Sequence, residues 1–157
     1  MTTETTLRLE RQISLSPEKC FVLWSDPARV ADWWGPRDDT GKPFKAHSVD
    51  WDVEKGRRWR IGMTAPDGRV FWQEGEFLHI EESRELRFSF RWIDDGGARG
   101  PATTVTVKFE ADGPGTRLIF IQSGFVDPET RDSHAGGWKE CLDRLVLATQ
   151  YSQEAAT

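Results

Sequence analysis

The residues best placed to do chemistry are few and sit among apolar neighbours. Glu74 has the strand parity of Trp72, and Gln122 that of Leu118 and Phe120. If those faces point inward, one acid and one amide enter an apolar interior, where they would orient a polar ligand group or act on it as acid and base. A lone buried carboxylate in that position would carry a raised pKa. The competing reading is a bulge near Gly75 that turns Glu74 to solvent. His47, His79 and His134 share no metal-ligand spacing and none pairs with a nearby cysteine, so neither a metal nor a cofactor is expected. Cys20 and Cys141 lie far apart and are expected as free thiols. No nucleophile elbow surrounds any serine. The run Gly96-Gly97-Ala98-Arg99-Gly100-Pro101 lacks the lysine–hydroxyl pair and the following helix of a phosphate loop, and reads as a hairpin tip.

Aromatic rings are the other resource. Eight tryptophans and nine phenylalanines stand beside a single tyrosine, so the interior either packs these flat rings closely or leaves a gap for something flat and apolar. Trp33 and Trp34 are adjacent at the end of a short helical segment. Adjacent helical positions cannot both face a core, which predicts one of them near the surface, as a lid or as a mouth residue. Trp138 is expected in the core. Gly136-Gly137 precedes it inside a helical pattern at a cost of about 1 kcal/mol each. The pair either lets the backbone approach the sheet or a ligand, or marks a kink or a late helix start.

Those side chains need elements to hold them. Leu7–Leu15 alternates as a strand. Ser16-Pro17 and Asp26-Pro27 each supply an N-cap with proline at the first helical position, predicting two short helices, to about Ser25 and Trp34, with Gly35-Pro36 ending the second. Six strands follow. Ala46–Val53, Arg58–Met63, Val70–Ile80, Leu86–Trp92, Thr103–Ala111 and Thr116–Ser123 are joined by short turns, the pattern of an antiparallel meander. From Asp127-Pro128 the period becomes helical to about Tyr151, with Trp138, Cys141, Leu142, Leu145 and Ala148 on one stripe. The predicted fold is α+β: a seven-stranded antiparallel sheet whose apolar face only the long C-terminal helix can cover. One helical stripe about 100° wide cannot fill the concave side of seven strands, so side chains plug the remainder or a pocket is left.

The ordered set of Leu23-Trp24-Ser25-Asp26-Pro27, Trp33-Trp34-Gly35-Pro36, Asp67-Gly68, Gly75-Glu76-Phe77-Leu78-His79-Ile80, Leu86-Arg87-Phe88-Ser89-Phe90, Gly115-Thr116-Arg117-Leu118 and Ser123-Gly124-Phe125, with His134, Gly137-Trp138 and Leu142 beyond, resembles the START-like (SRPBCC) superfamily. Within it the chain is similar to the AHSA-like branch, named after the activator of the Hsp90 ATPase. The resemblance runs from about residue 7 to 151, within one domain taken as 1–157. It implies a helix-grip fold with a hydrophobic cavity between sheet and C-terminal helix, the two short helices at its entrance, and His134 docking the start of the long helix.

The cavity is expected to be lined by Trp33, Trp34, Trp59, Ile61, Trp72, Glu74, Phe88, Phe90, Phe120, Gln122, Trp138 and Leu142, with an apolar, aromatic or lipid-like small molecule as partner and no catalytic residue assigned. A second reading, a polyketide cyclase/aromatase-like enzyme, follows from relatives of the same fold and rests on Glu74 and Gln122. A third, a co-chaperone or stress-response module, is weakened because no additional N-terminal domain of the chaperone activators is seen. A formal net charge of −5 argues against nucleic acid as partner. Mean hydropathy of −0.61 with no long apolar run argues against a membrane span. Met1–Thr6 lacks the features of a signal peptide, so a cytoplasmic location is expected. A homodimer through an exposed tryptophan is compatible with the sequence, but nothing in it argues for one.

Overall fold

The computed structural model describes residues 5–156, with side chains to 149. Met1–Glu4 and Thr157, counted above in the single domain and, at the N-terminus, in the leader argument, lie outside the described residues. Strand β1 (Thr6–Ile13) leads into helices α1 (Pro17–Ser25) and α2 (Pro27–Trp33). Ser16 Oγ accepts from the Lys19 amide at 3.4 Å, and Pro17 opens α1. Asp26 then serves both helices. Its amide donates to Val22 O at the end of α1, and its Oδ1 accepts from Ala28 N at 3.0 Å to start α2. One residue therefore sets the bend between the helices.

Strands β2 (Lys45–Asp50), β3 (Arg58–Thr64), β4 (Val70–Glu81), β5 (Glu85–Ile93), β6 (Thr103–Asp112) and β7 (Gly115–Ser123) form the meander, and β1 pairs with β7. The antiparallel sheet has the order β1-β7-β6-β5-β4-β3-β2. Helix α3 (Pro128–Ala156) closes it, with Asp127 Oδ1 accepting from Thr130 N at 2.7 Å. The helix continues past the expected end at Tyr151 and runs unbroken through Gly136-Gly137. The late-start reading of that pair therefore does not hold. Among the described residues no helix is long and apolar enough to cross a membrane.

Alternation on the strands puts Trp59, Ile61 and Met63, then Leu86, Phe88 and Phe90, then Val105, Val107 and Phe109, then Leu118 and Phe120, into one core with Trp138, Leu142 and Leu145 of α3. Tryptophan fills its centre. Trp24, Trp33, Trp34, Trp51 and Trp59 are each at most 1% exposed. Burying an indole requires an acceptor for its N–H, and the fold supplies most of them locally. Trp33 donates to Leu23 O at 2.9 Å, Trp51 to Trp24 O at 2.7 Å and Trp59 to Ser89 O at 3.0 Å. Two strand glutamines serve the others: Gln73 Oε1 accepts from Trp34 at 2.7 Å and Gln122 Oε1 from Trp138 at 2.8 Å. The exception is Trp24, whose buried Nε1 has no partner.

Gly75 is a requirement of this packing. A Cβ there would lie 1.8 Å from Ser89 O and 2.5 Å from Trp59 Nε1, so only glycine lets the indole of Trp59 reach across β4 to β5.

The expectation that Trp33 or Trp34 reaches the surface is overturned, since they are 0% and 1% exposed. Trp34 lies outside α2, as its C-cap, with extended backbone (φ −72°, ψ 121°). The rule against adjacent inward-facing residues applies within a helix, and the change of backbone at Trp34 releases it.

Candidate functional site

A cavity of about 550 Å³ remains at one end of the packed interior. Its walls come from three places: the first turns of α3 from Glu129 to Cys141, the end of β5 at Phe90 and Trp92, and the segment Trp34-Gly35-Pro36 after α2. Met63 and Gln73 complete it from β3 and β4. Rings dominate the inner surface. Trp138 stands edge-on to Trp34 at 5.2 Å between centroids and lies 6.0 Å from Phe90.

Trp92 forms the rim and is 37% exposed. Its Nε1 donates to His134 Nε2 at 3.1 Å, and the imidazole also meets Phe125 at 4.9 Å and Phe90 at 5.6 Å. An indole N–H only donates, so Nε2 of His134 is the acceptor and the neutral ring carries its proton on Nδ1. Burial pushes this histidine below its ordinary pKa, and pushes the Cys141 thiol up to about 12. Both groups on the wall are therefore neutral at pH 7. Among the described residues no lysine or arginine borders the cavity, and its one acidic neighbour, Glu129, is exposed at the rim.

The wall at Gly35 is set by Arg144 of α3. Its guanidinium donates to the carbonyls of Gly35 at 2.8 Å, Phe44 at 3.0 Å and Asp32 at 3.1 Å. Gly35 has φ +123°, and a Cβ there would meet Phe44 Cβ at 3.1 Å and the Arg144 guanidinium at 3.3 Å. Desolvation lowers the pKa of Arg144, and the carbonyls stand in for the lost water.

Gly137 borders the cavity for a different reason. A Cβ on it would meet nothing within 4 Å, and the same holds for Gly136 on the exposed side. The expectation that the backbone is pressed against the sheet at this pair is therefore corrected. The missing side chain of Gly137 leaves open space, and that space is part of the cavity.

Of the expected lining residues, the fold brings Trp34, Phe90 and Trp138 to the cavity. Trp33, Trp59, Ile61, Phe88, Phe120 and Leu142 are buried in the packed core without bordering it. Gln122 does face inward, but its amide is already spent: Oε1 holds Trp138, and Nε2 donates to Thr103 Oγ1 at 2.8 Å.

Trp72 and Glu74 are on the opposite, convex face. The inward parity of β4 belongs to Gln73 and Phe77. Trp72 instead lies on Gly62, where a Cβ would meet its ring at 2.7 Å, with the Arg60 guanidinium 4.7 Å from the ring centroid. Glu74 pairs with Arg99 beside a polar depression that also includes Arg58, Glu76 and Arg91. The acid and amide that the cyclase/aromatase-like reading needs are thus on different faces of the sheet. That placement is simple strand parity and needs no bulge at Gly75; the register shift of β4 lies further on, between Phe77 and His79.

Gln73, Trp92, His134, Gly137 and Cys141 were not anticipated as neighbours of one cavity. A signal for the helical ones exists in the sequence: Thr130, His134, Gly137 and Cys141 recur at spacings of three and four, which places them on one face of α3.

The sequence model of the family described as Activator of Hsp90 ATPase homolog 1-like protein matches residues 14–149. The AHSA1 protein of Silicibacter pomeroyi has a crystal structure that superimposes with a TM-score of 0.85 at 28% identity, over 94% of this chain and 99% of that one. A protein of Chromobacterium violaceum aligns with a TM-score of 0.78 at 23% identity, over 92% and 96%. A protein of Arthrobacter aurescens aligns at 0.80 and 22% identity, over 94% and 87%. The latter two likenesses are of fold. No curated protein sequence matches the chain.

Proposed function

Because the chain belongs to the family of activator of Hsp90 ATPase homolog 1-like proteins, built on the helix-grip fold, we propose that it is a binding protein that takes an apolar, aromatic or lipid-like small molecule into the cavity between its sheet and C-terminal helix. One observation carries this reading. An interior whose centre is filled by five buried tryptophans stays open over about 550 Å³ where α3 brings Gly137, with no side chain, to the wall. That volume is in the range of small-molecule sites, and the wall of Trp34, Met63, Phe90, Trp92 and Trp138 suits flat apolar surfaces.

The test is a titration with flat and lipid-like apolar compounds, reading tryptophan fluorescence and melting temperature together. Trp34, Trp92 and Trp138 stand in the wall, so occupancy will change the emission. A ligand that binds only the folded state must also raise the melting temperature, by an amount equivalent to about 2.7 kcal/mol at 100 times Kd. Saturable changes in both signals support the reading; a panel that moves neither overturns it.

A further inference from the structure

Several polar groups deep in the cavity wall are spent within the protein. Trp34 and Trp138 direct their N–H groups to Gln73 and Gln122, and the His134 Nε2 lone pair is taken by Trp92. Gln73 differs. It is 4% exposed and borders the cavity. Because an indole only donates, Trp34 fixes which end of this carboxamide is oxygen: Oε1 receives the bond at 2.7 Å. The NH2 end is thereby left over: among the described residues nothing accepts from Gln73 Nε2. Trp24 Nε1 is the one fully enclosed side-chain atom without a partner among the described residues, so Gln73 Nε2 reaches open space, and the cavity its residue borders is where an acceptor can meet it.

We propose that Gln73 Nε2 is the recognition donor of the site, and that the ligand is a neutral planar compound carrying one oxygen acceptor, such as an aryl ketone. This assignment rests on the cavity being a binding site. The demand for neutrality comes from the wall: no cation borders it among the described residues, and the one acidic side chain stands at the rim, so a carboxylate would be desolvated without a counter-charge. The demand for an acceptor comes from Gln73. Trp34, held by the other end of the same amide, fixes the orientation of the donor before any ligand enters.

Three naphthalenes of similar shape test this: 2-acetonaphthone, 2-isopropenylnaphthalene, which lacks the carbonyl, and 2-naphthoate. Each is titrated against the native protein and the Gln73→Met variant. The ketone is expected to bind the native protein about tenfold more tightly than the hydrocarbon, and naphthoate more weakly than the ketone. In Gln73→Met the ketone should lose that tenfold advantage while hydrocarbon binding is retained, which also reports that the variant is folded and its cavity intact. If this variant does not fold, the infrared carbonyl stretch of the ketone bound to native protein decides: a shift to lower frequency than in alkane solvent supports the donor, and no shift overturns it. Equal binding of ketone and hydrocarbon by the native protein overturns the role of Gln73 and leaves the cavity reading standing. Binding of naphthoate more tightly than the ketone overturns the demand for neutrality. Binding of none of the three overturns the cavity reading and this assignment with it.

Discussion

Replacing Gly137 with alanine separates the two meanings a helical glycine can have. If the backbone of α3 were pressed against the sheet there, an added methyl group would clash and the protein would melt at lower temperature. The structure says otherwise, since a Cβ at 137 meets nothing within 4 Å. The variant should therefore gain the usual helix-interior difference between glycine and alanine, about 1 kcal/mol, or roughly 2–4 °C in melting temperature for a domain of this size. The same methyl group should also take space from the ligand. A group of about 30 Å³ (comparable to one water's share of the liquid) removes about one-twentieth of a 550 Å³ cavity. Leucine, with four added carbons, removes about a fifth of it by the same scale. Thermal melts and naphthalene titrations of Gly137→Ala and Gly137→Leu, with Gly136→Ala as control, test both effects. Gly136 is exposed and does not border the cavity, so Gly136→Ala should stabilise equally and leave binding unchanged. A lower melting temperature for Gly137→Ala, or equal loss of binding at the two positions, would refute the reasoning.

Arg144→Met should lower the melting temperature by roughly 5–10 °C, because it strips donors from the carbonyls of Asp32, Gly35 and Phe44, at roughly 2–4 kcal/mol in all; a change within 1 °C would show that water replaces the guanidinium at no cost. Burial holds His134 below the ordinary histidine pKa of about 6.5, so the unfolded chain takes up the proton first and stability is lost as pH falls through that value, the loss ending below the folded pKa. Protonation also removes the acceptor of the Trp92 indole. The fall in melting temperature between pH 7.5 and 5.5 should therefore be smaller in His134→Gln, and an unchanged fall would assign it to other groups. Cys20 and Cys141 are buried and pushed up to about 12, so a disulfide reagent at pH 8 should find no reactive thiol in the native protein and two after unfolding; rapid native-state labelling mapped to Cys141 would mean that the reagent enters the cavity and reaches its wall.

The fold was legible because its signals are local. Ser16-Pro17, Asp26-Pro27 and Gly35-Pro36 mark helix ends by capping chemistry, and alternation in β3, β5, β6 and β7 shows which face is apolar. The site was harder to read for two physical reasons. In β4 the apolar and polar residues exchange roles: Trp72 covers the convex face over Gly62, while Gln73 goes inward because a buried indole needs an acceptor. Reading parity from the most hydrophobic residue therefore gave the wrong face for Trp72 and Glu74. Which interior residues border open space is also a non-local matter. Trp59 and Trp138 look alike in sequence, but one is enclosed by Trp34, Trp51, Phe88 and Phe90, and the other by a helix that carries a glycine beside it.

The pairing of β1 with β7 has a consequence for how the protein is made. Thr6 finds its partner at Ser123, and every ladder bond of β1 waits for residues 116–123 to leave the ribosome. The meander can assemble hairpin by hairpin as it emerges, since each strand pairs with the one before it. Its concave apolar face stays uncovered until α3 has been synthesised, which is the interval in which a nascent chain of this kind is most exposed to aggregation. Cavity walls contributed by Thr130, His134, Gly137 and Trp138 arrive after every strand of the sheet. A small molecule can therefore stabilise the finished protein without guiding its synthesis, and mutations that slow docking of the last helix should reduce yield more than they reduce the stability of the molecules that succeed.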